Sequence, residues 1–253
     1  MNPNNKTKQF NFNNKLFLAP MDKITNNEFR TEAKNNGADV VLTELISAKG
    51  IANNSNIALA KLKFDKIQHP IGVQLFGNNI EEFKNAVIKI ENYNFDFINI
   101  NCGCISPRLF KEGCGAALLK RPERIFKIIK NLKSITDLPI TIKIRSGIDE
   151  NHLNYLTVAE YAIKAKVDAI FVHPRTKKQE YNGISDWNII KEIKQYVDSK
   201  KLNIPIIANG DINTVEDFIN IKKITKCNSF MFGRGYIKNN NIFREIKNNL
   251  KMD

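Results

Sequence analysis

The sequence predicts an α/β protein of the (β/α)8 barrel class. Three observations carry this. Short, continuous apolar runs rich in Val, Ile and Phe recur eight times, as strands buried on both faces do. Helical patterns fill the intervals, and alternation of strand and helix implies a parallel sheet. The 253 residues match the usual length of one such barrel. A doubly wound open sheet is the alternative, but it usually stops near about six strands.

LFLAP (16–20) opens the series, and Thr25-Asn-Asn-Glu28 behind it reads as a capping box for the first helix. DVVLTEL (39–45) and PIGVQLFG (70–77) follow. EEFKNAVIKIENY then places apolar residues at 83, 86, 87 and 90, one stripe of a helix. FDFININC (95–102) is the fourth run, and Pro122 suits the first turn of the helix beyond it. PITIKIRSG (139–147) precedes a second capping box, Thr157-Val-Ala-Glu160. AIFVHPR (169–175) and IPIIANGDI (204–212) come next, the latter before a weaker box, Thr214-Val-Glu-Asp217. SFMFGRG (229–235) is the eighth run, with one helix after it at about 239–250. The sequence shows no internal repeat, linker or second domain. Residues 1–14 read as a polar N-terminal arm, and 15–253 as the barrel.

No apolar run reaches the roughly 18 residues a membrane span requires, and the N-terminus lacks the apolar core of a secretory signal. A cytoplasmic location and no membrane partner are expected. The net charge of +13 admits a polyanionic partner such as nucleic acid. A genome-wide bias toward Asn, Lys and Ile explains it equally. Of the four cysteines, Cys102, Cys104 and Cys114 have the spacing C-x-C-x9-C and Cys227 lies far downstream. Without a C-x2-C pair, and with three histidines, neither a disulfide framework nor a metal site is expected.

In a barrel of this class the chemistry sits at the C-terminal ends of the strands. Polar residues gather there: Pro20-Met21, Glu44, Gln74, Asn101, Cys104, Lys143, Arg145, His173, Arg175, Asn209-Gly210-Asp211 and Gly233-Arg234-Gly235. The last two Gly-rich turns fall after the seventh and eighth strands, where barrels commonly bind phosphate. Lys143 stands in an otherwise apolar strand, so it points into the mouth or is badly desolvated. A cation there would stabilise a reduced, anionic flavin; the alternative is an ion pair with Glu44. Gln74 could bond the polar edge of the same ring, and His173 its phosphate or ring. Together these residues describe a phosphate-bearing planar cofactor lying across the mouth. Cys104 begins a loop and is the candidate working thiol, a proton donor. Cys102 is its rival, and Cys114 reads as packing.

LAPMDKITNNEFR, VLTELISAKG, VQLFG, NINCGC, GCGAALL, TIKIRSG, VHPRT, YNGISDW, ANGDI and FGRG appear in that order. In this the chain resembles the dihydrouridine synthases, flavin-dependent enzymes that modify tRNA. The resemblance spans 16–235. It implies FMN held by Pro20, Met21, Gln74, Lys143, His173, Asn209, Gly210, Asp211, Gly233 and Arg234. It implies NADPH (or NADH) as reductant, hydride delivery to C6 of uracil, and Cys104 as donor of the proton to C5. Asn101 would lie beside the target base, with Arg145, Arg175 and Tyr181 toward the tRNA; Trp187 is equally a core residue. A monomer is expected. Two departures stand out. Ile105 rather than Pro follows Cys104, with Pro107 two residues on. The helical C-terminal domain of many members is absent or reduced to one helix, so basic residues on the barrel itself would hold tRNA: Arg108, Lys111, Lys177 and Lys178, with Lys238, Arg244, Lys247 and Lys251 of the terminal helix. The rivals are an FMN barrel acting on a free small molecule, of the dihydroorotate dehydrogenase type, and a non-catalytic RNA-binding barrel.

Overall fold

The structure is a computed structural model that describes residues 10–250. Most of the expected N-terminal arm, and Lys251, lie outside the described residues. Eight parallel strands follow the eight apolar runs: β1 Leu16–Leu18, β2 Val41–Ser47, β3 Ile71–Phe76, β4 Phe97–Cys102, β5 Ile140–Arg145, β6 Ala169–His173, β7 Ile206–Asn209 and β8 Ser229–Phe232. Their order is β1-β8-β7-β6-β5-β4-β3-β2. The ring closes where Phe17 bridges Val40 and the Leu18 N–H donates to the Val40 carbonyl at 2.9 Å. No helix among the described residues is long and apolar enough to cross a membrane.

Successive strand residues point to opposite faces, so each run feeds two cores. Outward residues such as Leu18, Ile46, Val73, Ile142 and Val172 pack beneath the surrounding helices. Inward residues Phe17, Leu42, Phe97, Phe171, Ile207 and Met231 fill the barrel. The helix Ile80–Ile90 buries Phe83, Ala86, Val87 and Ile90, the four positions of the sequence stripe. Within 10–14 the arm is not simply polar. Phe12 is buried and packs with Phe10 against Phe97, at ring centroids 5.1 and 5.4 Å from it. Apolar side chains that would otherwise face water thus plug the barrel's N-terminal end.

Helix starts correct two readings. Thr25 is not a cap: its hydroxyl turns back to Met21, and Asn26 caps the helix Asn27–Asn35 through the Phe29 N–H. Thr157 lies inside the helix Tyr155–Lys164, whose cap residue is Asn154. The weaker candidate, Thr214 with Asp217, forms the full reciprocal box. Among the described residues two helices, not one, follow β8: Arg234–Lys238 and Ile242–Leu250.

A repeat invisible in the sequence emerges at the N-terminal face. Before each even strand the chain takes a left-handed residue, then an apolar residue, then Asp or Asn. The left-handed residues are Gly37, Asn94, Lys166 and Lys226, and the third positions are Asp39, Asp96, Asp168 and Asn228. The three carboxylates accept the first N–H of the preceding odd strand, from Leu16 at 2.8 Å, Ile71 at 2.7 Å and Ile140 at 2.5 Å. Each also holds a cation or imidazole: Lys247, His69 and Lys133 respectively. The first three pairs of strands therefore share a common lock. Lys247, with Arg244 bound to the Asn35 carbonyl at 2.7 Å, is committed at this face. The terminal helix offers neither residue to the opposite, open end.

These locks set an expectation for stability. Asp168→Ala leaves the Ile140 N–H and Lys133 unpaired and should destabilise by about 1–3 kcal/mol in urea unfolding. Lys133→Met removes only a partly exposed pair and should cost less than about 1 kcal/mol.

Candidate active site

The C-terminal ends of the strands surround a cavity of about 390 Å³, within the range of small-molecule and cofactor sites. Pro20 and Met21 after β1, Gln74 on β3, Asn101 and Cys104 around the end of β4, and Lys143 and Arg145 on β5 line it. His173 on β6, Tyr181 beyond it, Asn209-Gly210-Asp211 after β7 and Gly233-Arg234 after β8 complete the wall.

The position of Cys104 is imposed by its neighbours. Asn101 Oδ1 accepts the Gly103 and Cys104 N–H groups at 3.1 and 2.8 Å. The Cys104 carbonyl accepts the Ala116 N–H at 3.0 Å. Gly115 has φ +60°, and a Cβ there would lie 2.8 Å from that carbonyl, so no other residue lets the two segments approach so closely. Pro107 opens the short helix Pro107–Lys111 and ends the loop two residues beyond Ile105. The loop that Cys104 begins is a pinned turn. Cys104 lines the cavity and the other three cysteines do not. Burial pushes its thiol up, which keeps it protonated. Cys102 is wholly buried on the strand, facing the outer core, and is raised further.

Lys143 has no carboxylate beside it. Glu44, the partner in the alternative reading, instead binds the Lys23 N–H at 2.8 Å and the Lys61 ammonium at 3.1 Å. Desolvation, then the charge of Arg145, bring Lys143 down to about 7. Burial likewise pushes His173 well below its ordinary value, aided by Lys143, Arg145, Arg175 and Arg234. His173 is therefore neutral. The mouth is a basic recess held partly uncharged by its own crowding.

Gly210 has φ +117°, and a Cβ would meet Ser185 Oγ at 2.6 Å. Its carbonyl accepts the Trp187 Nε1–H at 2.9 Å, which makes Trp187 a brace for this turn. Asp211 binds Arg175 through both oxygens, at 2.8 and 2.7 Å, and touches Arg234 at 3.3 Å. The Arg234 guanidinium lies over the Tyr181 ring, 4.8 Å from its centroid, and Arg145 lies 5.6 Å from the same centroid.

Arg175 corrects an expectation. It does not line the cavity. Its five N–H groups are taken by Asn182 O, Ser185 Oγ, both Asp211 oxygens and Gly183 O. It clamps the 182–185 segment to β7 and has no donor left for a substrate. Arg145 also braces loops, through Gly103 O, Thr176 O and Glu180 O, but it reaches the cavity. Sequence reasoning missed Asn99 and Thr141, which bond to each other at 2.8 Å beneath the floor. The signal was there: in FININC, Asn99 shares the inward face with Asn101. No group of His, Cys, Asp and Glu among the described residues could hold a metal ion.

The profile of the family described as dihydrouridine synthase matches residues 17–253. The chain belongs to the dihydrouridine synthase family. It is 34% identical over 236 residues to a probable tRNA-dihydrouridine synthase of Aquifex aeolicus, covering 92% of this chain and 72% of that one. Among solved structures it resembles dihydroorotate dehydrogenase from Eimeria tenella, with TM-score 0.64 and 12% identity, over 94% of this chain and 82% of that one. It also resembles histamine dehydrogenase from Rhizobium sp. 4-9, with TM-score 0.66 and 11% identity, over 93% of this chain. The chain spans 46% of that protein's length. These two likenesses establish a shared barrel fold. The region matched by the family contains the whole cavity.

The buried ammonium gives a pH-dependent expectation. Below about pH 7 Lys143 is charged in both folded and unfolded chains, and its full desolvation cost is present. As pH rises through the folded value toward that of a free lysine, about 10.4, the cost disappears. Cofactor-free Lys143→Met should therefore melt higher than wild type near neutral pH, with the gap closing toward pH ~10. A gap that widens with pH in thermal melts would contradict this.

Proposed function

We propose that this protein reduces uridine to 5,6-dihydrouridine in tRNA, with FMN in the barrel mouth and NADPH (or NADH) as reductant. The observation that carries the reading is the one accessible thiol among the described residues, Cys104, opening on the same cavity as an unpaired, half-buried lysine. The residues fit the cofactor. Gly210 and Gly233 border the cavity beside Arg234, without a side chain to keep a phosphate from the backbone, and Asn209 is held in place through the Met231 carbonyl at 2.8 Å. Pro20 and Met21 offer an apolar edge, Gln74 an amide, and Lys143 a cation that negative charge would draw back to its protonated form.

Bound there, FMN would supply the hydride, received from the nicotinamide, that adds to uracil C6. Cys104 gives its proton to C5 as the C5=C6 double bond is lost. Its raised thiol is the right form for a general acid. The resulting thiolate lies near Arg145 and Lys143, whose charges favour it, and regains a proton from water. Asp211 does not approach an anion itself; it orients Arg234. The target base must leave its stack to enter a cavity this deep.

A basic surface beside the mouth suits the tRNA backbone. Lys120 and Lys177 each lie 5.1 Å from the Phe110 ring centroid, and Arg108 and Lys111 are exposed on the same short helix. The Lys177 and Lys178 N–H groups are fixed to Gly147 O and Ile148 O, both at 2.9 Å. Lys178 has only a loose contact with Glu150 at 3.9 Å.

The purified protein should be yellow and release FMN, and Cys104→Ala should keep both FMN and its reduction by NADPH. Dihydrouridine formation in that variant should fall about 10²–10⁴-fold, while Cys102→Ala and Cys114→Ala cost far less. Nucleoside mass spectrometry of tRNA reads the product. Activity on orotate but not on tRNA would move the reading to a small-molecule oxidoreductase. Charge reversal at Lys177 and Lys178 should weaken tRNA binding without changing FMN content. Wild-type affinity should fall with salt at a log–log slope of about −0.7 to −0.9 per phosphate contact; a salt-independent affinity would contradict the surface.

A further inference from the structure

Beneath the cavity floor a chain of side-chain hydrogen bonds crosses three strands. Asn101 Nδ2 donates to Gln74 Oε1, Gln74 Nε2 to Asn99 Oδ1, and Asn99 Nδ2 to Thr141 Oγ1, each at 2.8 Å. The Thr141 hydroxyl donates to the Ile98 carbonyl at 3.0 Å. Gln74, Asn99 and Thr141 are wholly buried.

The direction of this chain is not arbitrary. At one end the Gly103 and Cys104 N–H groups can only donate, so Asn101 must present its oxygen to them and its nitrogen to Gln74. At the other end the Ile98 carbonyl can only accept, so the Thr141 oxygen is left to accept from Asn99. The two backbone termini thus dictate the orientation of all three amides between them. Turning Gln74 end for end would set its nitrogen against the Asn101 nitrogen, donor against donor. Gln74 borders the cavity and Asn99 does not.

We propose that Asn99 is a positioning residue for the reaction. It acts through Gln74, fixing which end of that amide faces the planar cofactor, and through the same chain it shares in the hold on the Cys104 turn. The inference rests on the flavin reading of the mouth. With Asn99 in place, Gln74 offers its second Nε2–H and one free Oε1 lone pair in a set orientation. Without it, the Gln74 nitrogen loses its anchor and the amide samples other rotamers. A buried polar chain of this kind specifies geometry only while every member is satisfied.

The test separates packing from positioning. Asn99→Leu matches the number of side-chain heavy atoms but strands Gln74 Nε2 and Thr141 Oγ1, so its melting temperature should fall. Asn99→Leu with Thr141→Val also removes the stranded Thr141 hydroxyl, and stability should return in part, with Gln74 Nε2 left open only toward the cavity. The orientation of Gln74 should not return. In the double variant the FMN dissociation constant, read by quenching of flavin fluorescence, should be about two- to tenfold above wild type, the range one hydrogen bond is worth. The absorption maximum of bound FMN should shift, and kcat for tRNA should fall while KM for tRNA stays unchanged. If restored melting brings FMN affinity, spectrum and kcat back to wild-type values, Asn99 only packs and the proposal is overturned. Failure of both variants to fold also overturns it, by making Asn99 a folding residue. A wild-type protein that takes up no FMN overturns the flavin reading itself, whereas wild-type uptake with unaltered variants overturns the role of Asn99 alone.

Discussion

A closed ring of strands has an interior that water does not reach, and every inward polar group must find its partner among the others. This constraint organises the molecule. Toward the N-terminal end the interior is solved with apolar bulk, from Phe12 and Phe97 to Phe17 and Phe171. Toward the open end it is solved with amides bonded across strands. The change from one solution to the other happens within two residues along β4, from Phe97 to Asn99 and Asn101. The first solution fixes the fold. The second gives the cavity a floor whose donors and acceptors have defined directions.

The same exclusion of water sets the protonation of the site. Burial disfavours charge on Lys143 and His173 and disfavours thiolate at Cys104. The recess therefore rests with a protonated acid, a neutral imidazole and an ammonium close to losing its proton. An anionic ligand entering this space meets groups that gain charge by binding it. The apolar neighbours of the site thus contribute to its chemistry as much as the polar residues do.

Much of this was legible in the sequence because burial on both faces leaves a plain mark. All eight apolar runs are strands, and the polar residues at their ends line one cavity, Glu44 and Arg175 excepted. Arg175 misled because a strand-end arginine looks the same whether it faces the mouth or a neighbouring loop. Only the fold brings Asp211 and the 182–185 segment around it. Helix caps misled for a local reason. Thr25 and Thr157 carry the right spacing, but a hydroxyl can turn back to Met21 or sit within a helix just as well. Asn99 went unread because its role depends on pairing across strands. The four-part repeat was hidden because it lives in backbone conformation. Gly37, Asn94, Lys166 and Lys226 share a left-handed turn and no common side chain.

The lock on the first pair of strands differs from its counterparts in where its cation comes from. Asp96 and Asp168 find theirs within 27 and 35 residues along the chain. Asp39 is served by Lys247, 208 residues away. A ribosome releases the N-terminal strands long before it makes that lysine. The opening unit of the barrel therefore leaves the exit tunnel incomplete, and a helix made 208 residues later is the clasp that finishes it.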